Sequence, residues 1–246
     1  MPPQAPYPNA PITEAIIDIR VQLPEGTGVG ELERVHEGLE AAYPTKRKRM
    51  QAEFHGQMGE RGTTAAASSK HIGYSFRSGD EKQVFQARLD GFTMSRLAPY
   101  ESWDPFRDEA KRLWKVYRSV VQPVRVTRLA VRYINRLDLP FPVTNLKEYL
   151  RTVPEVSSDL PQELAGYFMQ LRIPQENMNS VLLINQTIIE PAKPGVASVV
   201  LDIDVFRADD PPSDESDIWR FLEKLRICKN EVFEACVTDK ARELFQ

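Results

Sequence analysis

Three arginines at four-residue spacing are the first chemistry to stand out in this chain. In VTRLAVRYINRLDLP, an extended backbone puts Arg128, Arg132 and Arg136 on one face, with Leu129, Val131, Tyr133 and Leu137 on the other. An earlier strand offers Asp18 and Arg20, and a later one places Asp202 and Asp204 on a single face. A sheet face carrying both signs suits either of two roles. It can grip an anion or a substrate, or it can be a solvent-facing surface of cross-strand ion pairs.

A second group comes from a helical segment near the C-terminus. Lys229 and Asn230 fall where an earlier, otherwise similar helix has Leu113 and Trp114, and Asn135 likewise stands where Ile19 stands in the first strand. With Arg132, Arg136, Asp202 and Asp204 they make a candidate ligand site. The competing reading is a small rotation of the helix that sends Lys229 to solvent and Cys228 to the core. The run Lys46, Arg47, Lys48 and Arg49 is a candidate nucleic-acid contact. It lacks the interleaved aromatics of a single-strand binder and also reads as a solvated helix end.

Other chemistries find no support. His36, His55 and His71 are scattered, without the spacing of a metal site, so neither a metal nor a cofactor is expected. No nucleophile elbow and no phosphate-cradling glycine motif occurs, and EGTGVGE reads as a turn. Cys228 and Cys236, eight residues apart on a helix, lie about 12 Å apart, too far for a disulfide. With 32 Lys+Arg against 35 Asp+Glu, the net charge of −3 argues against a global pull toward nucleic acid. There is neither a signal-peptide pattern nor an apolar run of about 20 residues, which points to a soluble cytoplasmic protein.

The elements that must position these residues follow from periodicity. Residues 1–11, rich in proline, read as an extended arm. Strands are expected at TEAIIDIRVQLP, HIGYSFRS, QVFQARLDGFTMSRL, VTRLAVRYINRLDLP, AGYFMQLRIP, SVLLINQTIIE and ASVVLDIDVF, with KRKRMQAEF a weaker one. GELERVHEGLEAAYP reads as a helix, NLKEYLRTV as a short one, and Gly56 to Ser69 as a flexible loop. Trp103, Phe106, Ala110, Leu113, Trp114, Tyr117, Val120 and Val121 recur in steps of three and four and specify a long helix. A second long helix follows the acidic turn RADDPPSDESD, with Asp217 as its N-cap.

An offset of 116 residues relates Pro24 to Pro140, Arg20 to Arg136, Trp103 to Trp219, and Phe85, Ala87 and Leu89 to Leu201, Ile203 and Val205. The expected fold is therefore α+β. It is an internal duplication of a β-α-β-β-β-α unit, residues 12–122 and 123–246, as two antiparallel sheets joined about a pseudo-twofold axis with helices packed on one face.

The segments PNAPITEAIIDIRV, DGFTMSRLAPYESW, VTRLAVRYINRLDLP, VVLDIDVF and LRICKNEVFEACVTDKARELF together resemble a sporadically distributed bacterial and archaeal family. Its members have about 250 residues and no established function. The resemblance runs from Pro8 to Phe245, and RYINR and KNEVFEACVTD are its most specific pieces. It implies an intact prokaryotic cytoplasmic protein and assigns no catalytic or binding residue. The functional expectation is a non-catalytic ligand- or partner-binding, regulatory module, with an unknown small molecule or protein, or a second copy of the chain, as its partner. The alternatives are an enzyme with a polar site between the halves and a nucleic-acid-associated protein using residues 46–49.

Overall fold

Strand pairing dominates the structure, a computed structural model that describes residues 7–59, 62–162 and 164–246, with 53–59 and 62–68 described by backbone alone. The strands are β1 (Ile12–Gln22), β2 (Thr45–Gly59), β3 (Gly62–Arg77), β4 (Gln83–Arg88), β5 (Gly91–Leu97), β6 (Arg125–Pro140), β7 (Phe168–Gln175), β8 (Ser180–Ile189) and β9 (Val196–Arg207). The helices are α1 (Val29–Glu33), α2 (Trp103–Val121), α3 (Glu215–Cys236) and α4 (Asp239–Arg242). All nine strands join one antiparallel sheet in the order β2-β3-β4-β5-β1-β6-β9-β8-β7.

This overturns the expectation of two sheets about a twofold axis. β1 and β6 pair directly from Ile12 to Gln22, so backbone hydrogen bonds run unbroken through the middle of the molecule. The β-α-β-β-β-α unit also fails as a description of residues 12–122, which hold five strands. QVFQARLDGFTMSRL is two of them, β4 and β5, turning back at Leu89 and Asp90. The 116-residue offset matched β4 to β9, yet it is β5 that lies beside β1, whereas β9 lies beside β6.

Two further expectations change. Gly56 to Ser69 is expected as a loop, but β2 and β3 run into its described residues and pair from Thr45↔Arg77 to Gly59↔Gly62. Residues 60 and 61 lie outside the described residues, as do residues 1–6 of the expected arm. A run of Gly, Thr, Ala and Ser lacks apolar alternation, while the ladder it enters is made by backbone groups that every such residue carries. The expected helix over GELERVHEGLEAAYP shrinks to α1 and one 3-10 turn at Arg34–His36. Turns closed by Leu39 N–H on the His36 carbonyl (2.9 Å) and Tyr43 N–H on the Leu39 carbonyl (2.8 Å) take its place.

One face of the sheet is apolar and covered. Ile17, Ile19, Phe92, Met94, Val131, Tyr133, Leu201 and Ile203 are fully or almost fully buried there, beneath Leu113, Trp114 and Tyr117 of α2 and Leu222 and Leu225 of α3. Each such side chain contributes about 1.5–3 kcal/mol by leaving water. The N-cap of α3 is Asp214 rather than Asp217, which sits in the first turn, where its charge favours the helix dipole. Tyr7, at the end of the arm, packs edge-on against Phe233 and Phe245 and donates a hydrogen bond to Glu234 at 3.0 Å. Among the described residues no helix is long and apolar enough to cross a membrane.

Candidate functional site

The other face of the sheet carries the arginines. Antiparallel register places residues that face each other across neighbouring strands on one side of the sheet. Here it aligns Arg49, Gly73, Arg88, Gly91, Arg20 and Arg128 in one row across β2, β3, β4, β5, β1 and β6. The two glycines flank Arg88. At φ +157° and +151°, a Cβ on Gly73 would stand 2.1 Å from the Ala87 carbonyl oxygen, and one on Gly91 2.3 Å from that of Ile19. Only glycine fits such an approach, and the row is left without side chains on either side of Arg88. The result is a trough of about 710 Å³ whose lining includes Arg20, Arg49, Arg88, Arg128, Arg132 and Asp204.

Asp18 is the organising anion at its floor. Its Oδ1 accepts from Thr93 Oγ1 at 2.7 Å and Arg88 Nη2 at 3.1 Å, and its Oδ2 accepts from Arg20 Nε and Arg128 Nη1, both at 2.9 Å. Burial alone would raise its carboxyl pKa. Arg20, Arg88, the Thr93 hydroxyl and Arg128 outweigh that and hold it below the ordinary carboxylate value. Arg88 is itself buried, and donates also to Thr93 Oγ1 (2.6 Å), Gln86 Oε1 (3.2 Å) and Asp90 Oδ1 (2.8 Å). Asp90 is shared with Arg20.

The network continues toward β9. Arg128 donates from Nη2 to Asp204 Oδ2 at 2.7 Å and lies over the Phe206 ring, 4.3 Å from its centroid. Arg132 grips Asp202 with two parallel bonds of 2.8 and 2.7 Å, and Asn185 donates to the same carboxylate at 3.0 Å. Asp204 is treated less well. Its Oδ1 is buried with no hydrogen-bond partner among the described residues. Burial raises its pKa above the usual value, Arg128 and Arg132 notwithstanding, and Asp202 pushes the same way.

The residues nominated from sequence do not all come together. Arg132, Asp202 and Asp204 share the open face with Arg128. Arg136 is on that face too but is occupied by Asp138, through bonds of 2.9 and 3.1 Å. Asn135 points the opposite way, into the helix layer, and donates to the Leu201 carbonyl at 3.0 Å. Lys229 is also on the helix side. It is buried with its Nζ 3.5 Å from the centroid of the Tyr133 ring, and burial pushes its pKa down to about 7, with Arg226 adding to the effect. The helix rotation considered from sequence does not occur, since Cys228 and Lys229 are both buried. Asn230 is exposed.

Lys46, Arg47, Lys48 and Arg49 belong to the edge strand β2, not to a helix end, so alternation divides them between the two faces. Lys46 pairs with Glu33 and sits over the Tyr74 ring, while Arg49 reaches the trough. Arg88, Asp90 and Thr93 were missed. The alternation of QVFQAR and GFTMSRL, which buries Phe85, Ala87, Phe92 and Met94 on the helix side, would have put Arg88 and Thr93 on the open face once the turn between the strands was seen.

A second groove, about 810 Å³, runs between α2 and α3 around Trp219. Its charges are largely satisfied from within, with Glu215 taken by Arg118 (3.2 Å) and Lys115 (3.8 Å) and Glu223 by Arg226 (2.8 Å) and the Trp103 indole. No family model matches the chain, and no curated protein matches it.

Proposed function

We propose that this protein is a non-catalytic binding module whose site is the open sheet face, over the trough framed by Arg20, Arg49, Arg128 and Arg132. The observation that carries this reading is how the guanidinium groups are held. Asp18, Asp202 and Asp204 fix Arg128 and Arg132 in place while each keeps outer N–H groups unspent. A receptor whose donors are already oriented loses little side-chain freedom when a ligand arrives. Arginine stays protonated throughout the working pH range, so these groups bind charge and do not shuttle protons. A nucleic-acid role through residues 46–49 gains less support, because their positive charge is split between two faces.

Native mass spectrometry of gently purified protein tests this reading. The wild type is expected to carry a fixed mass excess of a few hundred daltons that disappears on denaturation, and Arg132→Glu is expected to lose it while staying folded. An excess that persists in the variant, or a bare polypeptide mass in the wild type, contradicts the proposal.

A further inference from the structure

The two edges of the sheet are built differently. β2, at one end, carries Lys46, Arg47, Lys48 and Arg49 in succession, and its pairing with β3 slips between Arg49 and Met50. Charge and irregularity of this kind keep an edge from taking up another strand. β7, at the other end, has neither. Its pairing with β8 runs without a shift from Phe168↔Thr187 to Gln175↔Ser180, its one charged residue is Arg172, and its only proline, Pro174, stands next to its last residue. No described strand pairs with its outer side, so every second residue of FMQLRIPQ turns its backbone polar groups outward.

Apolar side chains stand along the same edge. Cys228 Sγ of α3 reaches Gln175 Oε1 at 3.8 Å, which by alternation puts Met169, Leu171 and Ile173 on the helix side. Arg172 lies over the Phe206 ring, 5.9 Å from its centroid, which puts Phe168 and Pro174 on the open face. Phe168 is 69% exposed and Ile173 38%. The strand also matches itself. A twofold axis perpendicular to the sheet lays β7 antiparallel against its copy with like faces together. Centred on Leu171, it sets Leu171 opposite Leu171, Met169 opposite Ile173, Phe168 opposite Pro174 and Gln170 opposite Arg172. Each apolar side chain then meets an apolar one, and the arginine meets an amide. Centring on Arg172 instead opposes like charges, and centring on Gln170 sets Phe168 against Arg172. Whichever alternate residues point outward, the Leu171 register gives each strand three outward N–H donors, about six interchain bonds in all.

We propose that a second copy of this chain pairs along β7, strand against strand and centred on Leu171, so that two nine-stranded sheets become one. Sedimentation velocity of the full chain over a range of concentrations tests it. A species of twice the 28.1 kDa chain mass is expected. Phe168→Lys, which alters an exposed side chain, is expected to weaken that dimer at least tenfold with the circular dichroism unchanged. A protein that stays monomeric at its highest soluble concentration overturns the proposal and leaves β7 to a foreign strand. A dimer that Phe168→Lys leaves equally tight overturns it as well.

Crosslinking reads the register and exposes a dimer formed elsewhere on the molecule. Opposite residues of an antiparallel pair have Cα atoms about 4.5–5.5 Å apart, within the reach of a disulfide. The native Cys228 and Cys236 are buried. Leu171→Cys is therefore expected to form an interchain disulfide on mild oxidation. Gln170→Cys, about 8 Å from its copy in this register, is not. Crosslinking of Gln170→Cys in place of Leu171→Cys, or of neither in a dimeric protein, overturns the pairing. Arg132→Glu, three strands away on β6, is expected to leave the dimer intact, so failure of the dimer and failure of the open-face site are read separately.

Discussion

Lys229→Met is expected to stabilise the protein by about 2–4 kcal/mol at pH 6. The Lys229 amine is buried against the Tyr133 ring without an ion pair or hydrogen bond to any described residue, and burial, with Arg226 adding and Glu234 opposing, holds its pKa at about 7 against an ordinary 10.5. Each pKa unit corresponds to about 1.4 kcal/mol, so a protonated Lys229 costs the folded state on the order of 3–5 kcal/mol. Unfolding between pH 7 and 10 takes up a proton, because the free chain is protonated there and the folded one is not. Wild-type stability should therefore rise with pH across this window and be lowest below it. Methionine has a similar unbranched shape and no charge to desolvate. Urea midpoints at pH 6, 8 and 10 check the result. The variant should lead most at pH 6, and the gap should close toward pH 10. A wild-type profile flat over that range, or a variant less stable at pH 6, contradicts the account.

The second large effect lies on the opposite face. Asp18→Ala is expected to cost about 3–5 kcal/mol, because it leaves three arginines without their shared counter-ion and one of them, Arg88, is buried. The pH dependence has the opposite sense to that of Lys229. The folded carboxyl has a pKa below its ordinary value of 3.8, so its contribution is complete above the unfolded value and is lost as pH falls through the folded one. Denaturation midpoints from neutral pH down to about pH 2 should show an acid limb below about pH 4 that is shallower in the variant. Equal stability at pH 7 would mean that Thr93, Gln86 and Asp90 suffice to hold Arg88.

Much of this was legible in the residues. The alternation of VTRLAVRYINRLDLP assigns Arg128 and Arg132 to one face and Val131 and Tyr133 to the other, as β6 does. The three- and four-residue steps from Trp103 to Val121 mark α2. The same rule of alternation, applied strictly, separates Asn135 from Arg132 and Arg136, and pooling them into one site merged two faces of a sheet. What periodicity does not carry is pairing. Nothing local in ITEAIIDIRVQ says that it lies between β5 and β6, and that placement is what makes the sheet single and brings Asp18 to Arg88 and Arg128. The missed turn at Leu89 and Asp90 hid Arg88 and Thr93, since reading two short strands as one long one reverses the face of everything after it. Lys229 was ambiguous for a related reason: a step of one residue turns a helix by about 100°, enough to move a side chain from core to solvent.

The open face is the proposed binding site of this protein. Side-chain arginine Nε–H resonances in a 15N-labelled sample report on that face directly, and the Trp103 and Trp219 indole resonances report on the helix layer. On addition of a cell-derived small-molecule fraction, the account predicts shifts at Arg20, Arg49, Arg128 and Arg132 with the two indoles unmoved. Shifts confined to the indoles, with the four arginines silent, would place the site in the groove between α2 and α3 and contradict it.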